Sequence, residues 1–320
     1  MFKKHLQKLI KFFGGELISK DELKQYKSHL CNSINYLTDI EKKNHEEKGL
    51  SCVVFSKDRA MQLYSLIDTY KNLVRNPVDL KVIYNSSSSD HELAYLELSK
   101  ITNNLPFKVH FIKEKKSFRE TLINVLSNIK TKNLFFLTDD DIFINNLDFN
   151  ILSSIDPKNE ILSLRHNPKI SYSYTANRHF KPPRFKVHQS IDTLNEFNWF
   201  DSGYEWSDPW SVNGQIYLTA EILVISKIAT FQFPNSYENA LKFFNFLMID
   251  KKGLCYDESV VMNIPMNIVQ SEYKNLHGNI STENLLEKWR QGYKLDVDIL
   301  KNSKLNSTHV DTKVQFKKRY

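Results

Sequence analysis

The stretch Asn133–Phe143, NLFFLTDDDIF, decides the fold class of this 320-residue chain. It begins with an apolar run typical of a buried strand, and three consecutive aspartates follow soon after. Three similar runs precede it, each followed by apolar residues at helical spacing. They are LSCVVF at 50–55, KVIY at 81–84 and FKVHFI at 107–112. Four strands that alternate with helices predict an α/β fold with a mainly parallel, doubly wound sheet flanked by helices.

The three aspartates, Asp139, Asp140 and Asp141, carry the clearest chemical signal. Adjacent carboxylates repel one another, which raises their pKa values unless a cation relieves the repulsion. Oxygen ligands of this kind suit Mg²⁺ or Mn²⁺. On an extended backbone, Asp139 and Asp141 point to one side and Asp140 to the other. We therefore expect a divalent cation here, while noting that acidic triplets also occur in exposed turns.

Other polar side chains follow the predicted strands at the same edge of the sheet. Ser56, Asp58 and Arg59 come after the first strand, and Asn85 comes after the second. Ligands of doubly wound sheets bind at the carboxyl ends of the strands, so these residues are candidates for ligand contacts. Arg119 lies at the start of a predicted helix. It either faces a ligand's phosphates or is an ordinary surface arginine.

The composition excludes several classes of protein. Lys and Arg outnumber Asp and Glu by 44 to 37, but the basic residues are scattered and no nucleic-acid-binding motif is present, so no nucleic-acid partner is expected. The chain has only 8 glycines, and none lies between Ser56 and Leu63, where a phosphate-binding loop of the glycine-rich type would require them. Three separated cysteines, with no CxxC pair, are typical of a reducing compartment.

The first residues of the chain form a basic amphipathic pattern. In Met1–Phe13, apolar residues recur at helical spacing beside four lysines. This segment either lies on an anionic membrane surface or packs on its own domain. It lacks the features of a secretory signal, and no apolar run is long enough to span a membrane. We predict a cytoplasmic location. If the segment lies on a membrane, the contact is peripheral and is made at the inner face of the cell membrane.

Composition shifts divide the chain into three predicted parts. These are a helical extension at 1–48, a ligand-binding half at 49–150 and a second half with a polar, loosely ordered tail at 151–320. The second half contains a long aromatic stretch at 166–215, in which Trp206 and Trp210 either form a sugar platform or pack in the core. Beyond it we predict strands at 216–225 and 260–269, and helices at 237–248 and 281–291, the last with Ser281 as its N-cap.

Four segments together resemble the nucleotide-sugar half of GT-A glycosyltransferases, in the inverting form that builds bacterial surface polysaccharides such as capsule and O-antigen. They are LSCVVFSKDR, KVIYNSS, SFRETLINVLSNI and NLFFLTDDDIF, and they cover roughly residues 50–150. The resemblance extends more weakly to about residue 290. It implies a nucleoside-diphosphate sugar donor, most simply a UDP-sugar, a divalent metal at the diphosphate, and a glycan or lipid-linked saccharide as acceptor.

The resemblance also implies roles for individual residues. Asp141 would be a metal ligand, Asp139 would contact metal or ribose, and Asp140 would border the nucleotide. The other residues expected at the nucleotide are Ser56, Asp58, Arg59, Asn85 and Arg119. A C-terminal loop often supplies one more metal ligand in such enzymes, and His277, beside Gly278, is the candidate here.

An inverting transfer needs a carboxylate that removes the proton of the acceptor hydroxyl. Glu238 is the first candidate, because it lies near the start of a predicted helix in the acceptor half. Asp208, between Trp206 and Trp210, is the second, and the pair Asp257 and Glu258 is the third. Two other functions stay open for this sequence. One is a nucleotidyltransferase or metal phosphoesterase that uses the same aspartates, and the other is a sugar-binding module without catalysis.

Overall fold

The helices of the chain flank a central sheet. The computed structural model describes residues 19–152, 154–174, 176–267, 280–310 and 315–319. The helices are α1 (Lys20–Glu41), α2 (Ala60–Leu73), α3 (Ser89–Thr102), α4 (Phe118–Asn128), α5 (Phe149–Leu152), α6 (Thr219–Ile228), α7 (Pro234–Lys242) and α8 (Thr282–Arg290), with short 3-10 turns at Lys42–Asn44, Tyr204–Ser207, Asn245–Leu247 and Asp298–Leu300.

The strands are mostly short, and the longest belong to the central sheet. They are β1 (Glu47–Lys57), β2 (Val74–Arg75), β3 (Leu80–Asn85), β4 (Val109–Lys113), β5 (Thr131–Thr138), β6 (Asp141–Phe143), β7 (Leu147–Asp148), β8 (Glu160–Ser163), β9 (Tyr172–Ser173), β10 (Arg178–His179), β11 (Lys186–Val187), β12 (Leu194–Asn198), β13 (Ile216–Leu218), β14 (Lys252–Tyr256), β15 (Val261–Asn263), β16 (Tyr293–Leu295) and β17 (Phe316–Lys318).

The central sheet has five strands in the order β13–β5–β1–β3–β4. β1 pairs in parallel with both β3 and β5, and β3 pairs in parallel with β4. β13 is antiparallel to β5. The predicted mainly parallel α/β sheet is therefore confirmed, and each of the four apolar runs is one of its strands. Because β1 starts at Glu47, Gly49 lies inside the strand, where the register with β5 shifts.

Both faces of the sheet are covered, which explains why its strands are apolar throughout. Along β1, Cys52 and Val54 face one core, together with residues of α2 and α3. The alternate residues, Val53 and Phe55, face a second core, together with residues of α4, α6 and α7. This alternation is the two-residue period of a strand.

Several helices begin at a serine whose hydroxyl accepts a hydrogen bond from the first turn. Ser88 does so for α3, Ser117 for α4 and Ser281 for α8. Such a cap satisfies a backbone N–H group that has no partner within the helix. The predicted N-cap at Ser281 is confirmed. α1 packs against α6.

The second half departs from the prediction in two places. Residues 216–225 were expected to form one strand, but β13 ends at Leu218 and α6 begins at Thr219. Every residue from Thr219 to Ser226 is buried, so α6 lacks a polar face and its sequence resembles that of a strand. The helix predicted at 237–248 also ends earlier, at Lys242.

The described residues of the polar tail, 296–310 and 315–319, are more ordered than the composition predicts. β17 pairs with β16. Thr308 is fully buried, and the backbone around His309 pairs with Asn263 of β15. Beyond Asn263, the predicted strand at 260–269 is not formed in the described residues.

Three further expectations concern the surface and the cysteines. Cys52 and Cys255 are buried thiols, and Cys31 is half-buried. In the part of the chain that the structure describes, no helix combines the length and apolar character that crossing a bilayer requires. The basic segment Met1–Phe13 lies outside the described residues.

Candidate active site at the carboxyl edge of the sheet

The three aspartates lie where β5 ends, beside the carboxyl end of β1. Asp139 and Asp140 form a turn, and Asp141 begins β6, which pairs with β15. The expectation that Asp139 and Asp141 share one side of an extended backbone is therefore wrong, because the turn breaks the alternation. Asp139 and Asp140 instead contact one arginine, and Asp140 and Asp141 share one asparagine.

Asp139 is held by the loop that follows β1. It accepts hydrogen bonds from Ser56 Oγ at 2.8 Å, from the backbone N–H of Lys57 at 3.2 Å and from Arg59 Nη1 at 3.0 Å. Burial raises the pKa of this carboxyl to about 6, although the Arg59 charge opposes the rise. Asp139 thus ties the loops after β1 and β5 together.

Arg59 bridges the aspartates and the chain that follows β15. Its Nη1 also lies 3.1 Å from Asp140 Oδ2, and its Nη2 donates to the carbonyl of Asn267. The guanidinium is buried, and its Nε has no hydrogen-bond partner. A buried donor without a partner is unusual, so a ligand oxygen could bind at this position.

Asp141 is fully buried and surrounded by donors. It accepts from the backbone N–H of Thr138 at 2.8 Å, from Asn213 Nδ2 at 3.0 Å and from Asn263 Nδ2 at 3.1 Å. Burial and then the neighbouring Asp140 raise its pKa to about 7. In the sequence, Asn213 is marked only by the turn signal Asn213-Gly214, and Asn263 carries no signal.

The donor set suits a hard divalent cation in part. Asp140 Oδ1 and Asp141 Oδ1 lie 2.8 and 3.1 Å from the same nitrogen, Asn263 Nδ2, so the two carboxylates converge. Convergent carboxylate oxygens are ligands that Mg²⁺ and Mn²⁺ accept. Within the residues described, however, no three His, Cys, Asp or Glu side chains are grouped to hold a metal. His277, the expected additional ligand, lies outside those residues.

The loops after β1 and β3 support each other at the same edge. The N–H of Asp58 donates to the Asn85 carbonyl at 3.2 Å, and Asp58 Oδ1 accepts from the N–H of Ser87 at 2.7 Å. Asp58 has a positive φ of 56°, a conformation that costs energy for a residue with a side chain. Asn85 Nδ2 donates to Glu114 at 3.2 Å. These residues line the edge, as the sequence predicts.

Arg119 has a different place from the one expected. Its Nε donates to the Ala229 carbonyl at 3.1 Å and its Nη2 to the Lys227 carbonyl at 2.8 Å, at the end of α6. A cation at this position satisfies carbonyls that have no partner within the helix. We therefore correct the expected phosphate contact of Arg119 to a helix cap.

The structure brings together the first two candidates for the general base. Asp208 follows the turn Tyr204–Ser207, and its Oδ2 lies 3.0 Å from Lys242 Nζ of α7. Its Oδ1 is buried without a partner. Burial, followed by the charge of Glu238, raises the pKa of Asp208 to about 6. Glu238 Oε1 accepts from the N–H of Val212 at 3.3 Å.

The third pair of candidates lies in ordinary surface contacts. Asp257 accepts from Asn195 at 2.8 Å, and Glu258 forms an ion pair with Lys169. Among the residues that the structure describes, neither carboxylate forms a hydrogen bond or ion pair with the aspartate turn or with Asp208. The role of the two tryptophans near Asp208 is also decided, because Trp206 and Trp210 are fully buried. They pack in the core, and the sugar-platform alternative is wrong for them.

A buried arginine that the sequence analysis missed connects the two groups of carboxylates. Arg165 Nη2 donates to Ser211 Oγ at 3.1 Å, and Ser211 Oγ lies 3.3 Å from Asn213 Oδ1, beside Asp141. The Arg165 charge opposes the rise in the pKa of both Asp141 and Asp208, so it lies near both. No periodic pattern in the sequence marks this residue.

Glu205, near Arg165, is the centre of a second buried hydrogen-bond network. Glu205 accepts from Ser173 Oγ at 3.0 Å and from Thr308 Oγ1 at 2.9 Å. Its burial opposes ionisation, but the charges of His309 and Arg165 leave its pKa lowered. The polar tail thus contributes Thr308 to this network, which the sequence did not indicate.

Comparison with known proteins gives one sequence relative. No model of a known protein family matches the chain. The chain is 26% identical over 198 residues to the bifunctional glycosyltransferase pgtA of Dictyostelium discoideum, and the match covers 55% of this chain and 25% of that protein. The relative is a glycosyltransferase. This agrees with the enzyme class that the sequence predicts, although the chain spans only about a quarter of the relative's length.

The matches among solved structures include one in complex with a nucleotide sugar. S. aureus TarS 1-349 in complex with UDP-GlcNAc is 17% identical, with a TM-score of 0.41, and the match covers 73% of this chain and 61% of that one. The 4-diphosphocytidyl-2C-methyl-D-erythritol synthase from Anaerococcus prevotii is 10% identical, with a TM-score of 0.39. That match covers 76% of this chain and 96% of the synthase chain.

Proposed function

We propose that this chain transfers a sugar from a nucleoside-diphosphate sugar, in the first place a UDP-sugar, to a hydroxyl of a glycan or lipid-linked saccharide, with inversion and with a divalent cation. One observation carries the proposal. The aspartate turn with Arg59 lies at the edge where such sheets bind ligands. Asn213 donates to Asp141 of that turn, and the N–H of the preceding residue, Val212, donates to Glu238 of the Asp208–Glu238 pair. Capsule or O-antigen synthesis stays a prediction from the sequence.

The donor is assigned to the edge formed by β1, β3 and β5. Ser56, Asp58 and Asn85 lie where the nucleoside would bind, between the ends of adjacent strands. Arg59, with its unpaired Nε, is positioned for the diphosphate. When the sugar departs, negative charge develops on that diphosphate, and a fixed cation nearby stabilises it.

Asp140 and Asp141 are the residues that would hold the cation, because their Oδ1 atoms both lie close to Asn263 Nδ2. A bound Mg²⁺ or Mn²⁺ would supply positive charge to the leaving diphosphate. Asn213 and Asn263 keep the two carboxylates in place by donating to them.

Asp208 is the better candidate for the general base. Its side chain is 25% exposed beside Lys242, so an acceptor hydroxyl can approach the carboxylate and lose its proton to it. Glu238 already accepts from the Val212 N–H, and its charge raises the pKa of Asp208. We assign Glu238 to tuning the base rather than to proton transfer.

The test is a panel of nucleoside-diphosphate sugars incubated with the protein, with Mn²⁺, Mg²⁺ or EDTA. We expect release of UDP from at least one UDP-sugar, with EDTA abolishing it and Asp208→Asn lowering it by 100-fold or more. Release of pyrophosphate from a nucleoside triphosphate and a sugar phosphate would instead indicate a nucleotidyltransferase. Sugar binding without release of any product would indicate a binding module.

A further inference from the structure

An exposed basic and aromatic surface lies beside Asp208. It consists of Phe180, Tyr204, Arg178, Lys181 and Arg184, and we call it the 178–204 surface. The rings of Phe180 and Tyr204 stack, with centroids 5.4 Å apart and an interplanar angle of 23°. Tyr204 is 40% exposed, in contrast to the buried Trp206 two residues later. A stacked aromatic pair that faces water offers an apolar face to a ligand.

The cations of this surface have no acidic partners. Between Glu160 and Asp192 the sequence contains no Asp or Glu at all. Arg178, Lys181 and Arg184 are exposed, and none of the carboxylates that the structure describes lies within ion-pair distance of them. Lys186, by contrast, pairs with Glu196 at 3.0 Å. Three unpaired cations in one segment create a positive potential that attracts anions.

The surface is fixed to the candidate base by the backbone. Tyr204 begins the 3-10 turn that ends immediately before Asp208. At a rise of about 2 Å per residue, the two residues are separated by about 8 Å along the turn. Ser202 Oγ donates to the Lys181 carbonyl, which joins the two halves of the surface.

Two large aromatic residues adopt a left-handed backbone at this surface. Phe200 has a φ of 71° and Tyr204 a φ of 56°. Side chains of this size adopt such angles at a cost, and residues held in this way cluster at ligand-binding sites. The turn thus displays the ring of Tyr204 four residues before the base, at some expense to the stability of the fold.

We propose that the 178–204 surface binds the acceptor, and that the acceptor is an anionic saccharide, one that carries carboxylate or phosphate groups. This rests on the proposed function, because it takes Asp208 as the base. Tyr204 and Phe180 would stack against a sugar ring, and the three cations would bind its anionic groups. A single-stranded nucleic acid shares the aromatic and charge requirements, but a saccharide is favoured because the surface leads directly to a base for a hydroxyl.

The test measures binding to three forms of one polymer, labelled dextran, carboxymethyl-dextran and dextran phosphate of equal length, and to the oligonucleotide dT20. Fluorescence anisotropy with the full chain gives each Kd. We expect at least one anionic dextran to bind ten times more tightly than neutral dextran or more. The stronger of the two identifies carboxylate or phosphate as the natural group.

Variants distinguish binding at the 178–204 surface from non-specific binding by exposed positive charge elsewhere on the chain. Arg178→Ala, Lys181→Ala and Arg184→Ala combined should weaken anionic dextran binding at least tenfold, and Tyr204→Ala should weaken binding of every dextran about fivefold. The matched control removes three exposed lysines elsewhere, Lys71, Lys100 and Lys130, and should change the Kd less than twofold.

Three results would overturn the proposal. They are equal binding of neutral and anionic dextrans, equal loss in the control variant, and tighter binding of dT20 with the same dependence on the three cations. None of these measurements needs a donor. A parallel titration with UDP tests the donor site, so failure of the proposed function would appear there, as absent UDP binding, and not in the dextran series.

Discussion

Arg59 Nη1 lies 3.0 Å from Asp139 Oδ1, and both side chains are almost completely buried. The two residues come from loops at the ends of neighbouring strands, β1 and β5. Removing charges from water costs several kcal/mol for each ion, so the pair is stable only while both partners are present. The candidate donor site therefore depends on the buried ion pairs of Arg59 with Asp139 and Asp140.

Arg59→Met should destabilise the fold by about 3–5 kcal/mol, because it leaves the buried Asp139 carboxylate without its counter-ion. Urea denaturation at pH 7 measures the free energy of unfolding. Lys42→Met, which breaks the exposed pair with Asp39, is the control and should cost less than about 1 kcal/mol.

The double variant Arg59→Met with Asp139→Asn distinguishes the ion pair from simple packing. It should be more stable than Arg59→Met alone, because the uncompensated charge is gone. If the two substitutions destabilise additively, the ion pair is not what holds these loops.

Gly253→Ala should destabilise the fold by about 1–3 kcal/mol through overpacking. A Cβ at this position in β14 would lie 2.2 Å from the ring of Phe197 on the paired strand β12. That ring packs against Trp199 and Trp206, so it cannot withdraw freely. Gly203→Ala is the control, since no atom lies within 4 Å of its Cβ. Equal thermal shifts in both variants would contradict the packing argument.

The parts of the structure that the sequence predicted are those governed by local physics. The strands of the parallel sheet are visible as apolar runs because both faces of the sheet are buried. The aspartate turn is visible because three adjacent carboxylates need compensation. α6 was taken for a strand for a related reason, since a helix buried on all sides has no polar face.

The residues that the sequence missed act through contacts distant along the chain. Asn263 meets Asp141 only because β15 pairs with β6. Arg165 meets Asn213 through Ser211, and Thr308 supports Glu205 from the polar tail. Arg119 was expected either at the phosphates or on the surface, but its partner carbonyls lie at the end of α6. No local pattern encodes such pairings.

Asn213→Leu should weaken UDP binding in the presence of Mn²⁺ by tenfold or more. The substitution removes the amide that donates to Asp141 at 3.0 Å and to Thr138 at 2.6 Å, so the carboxylate loses its position. Calorimetry with UDP, with and without Mn²⁺, measures the effect. Asn128→Leu, on the exposed end of α4, is the control and should bind UDP as the unmodified chain does. Unchanged affinity in Asn213→Leu would show that Asp141 does not need the hydrogen bond from Asn213.

The pH dependence of transfer should report Asp208. Its pKa is about 6, and a general base acts when ionised, so the rate should rise with pH through about 6 and level off above it. The raised pKa of Asp208 also affects the free energy of unfolding. Because the folded state binds this proton more tightly than the unfolded chain, the contribution of Asp208 to stability falls as pH rises through 6. Asp208→Asn should remove both effects.

Two neighbours of Asp208 should move the midpoint of that rise in opposite directions. Glu238→Gln removes the negative charge that raises the pKa of Asp208, so the midpoint should fall. Lys242→Met removes the positive charge 3.0 Å from Oδ2, so the midpoint should rise. Lys227→Met breaks an ion pair with Glu41 elsewhere and should leave the profile unchanged. If Glu238→Gln abolishes transfer while Asp208→Asn retains it, Glu238 is the base and Asp208 is the residue that tunes it.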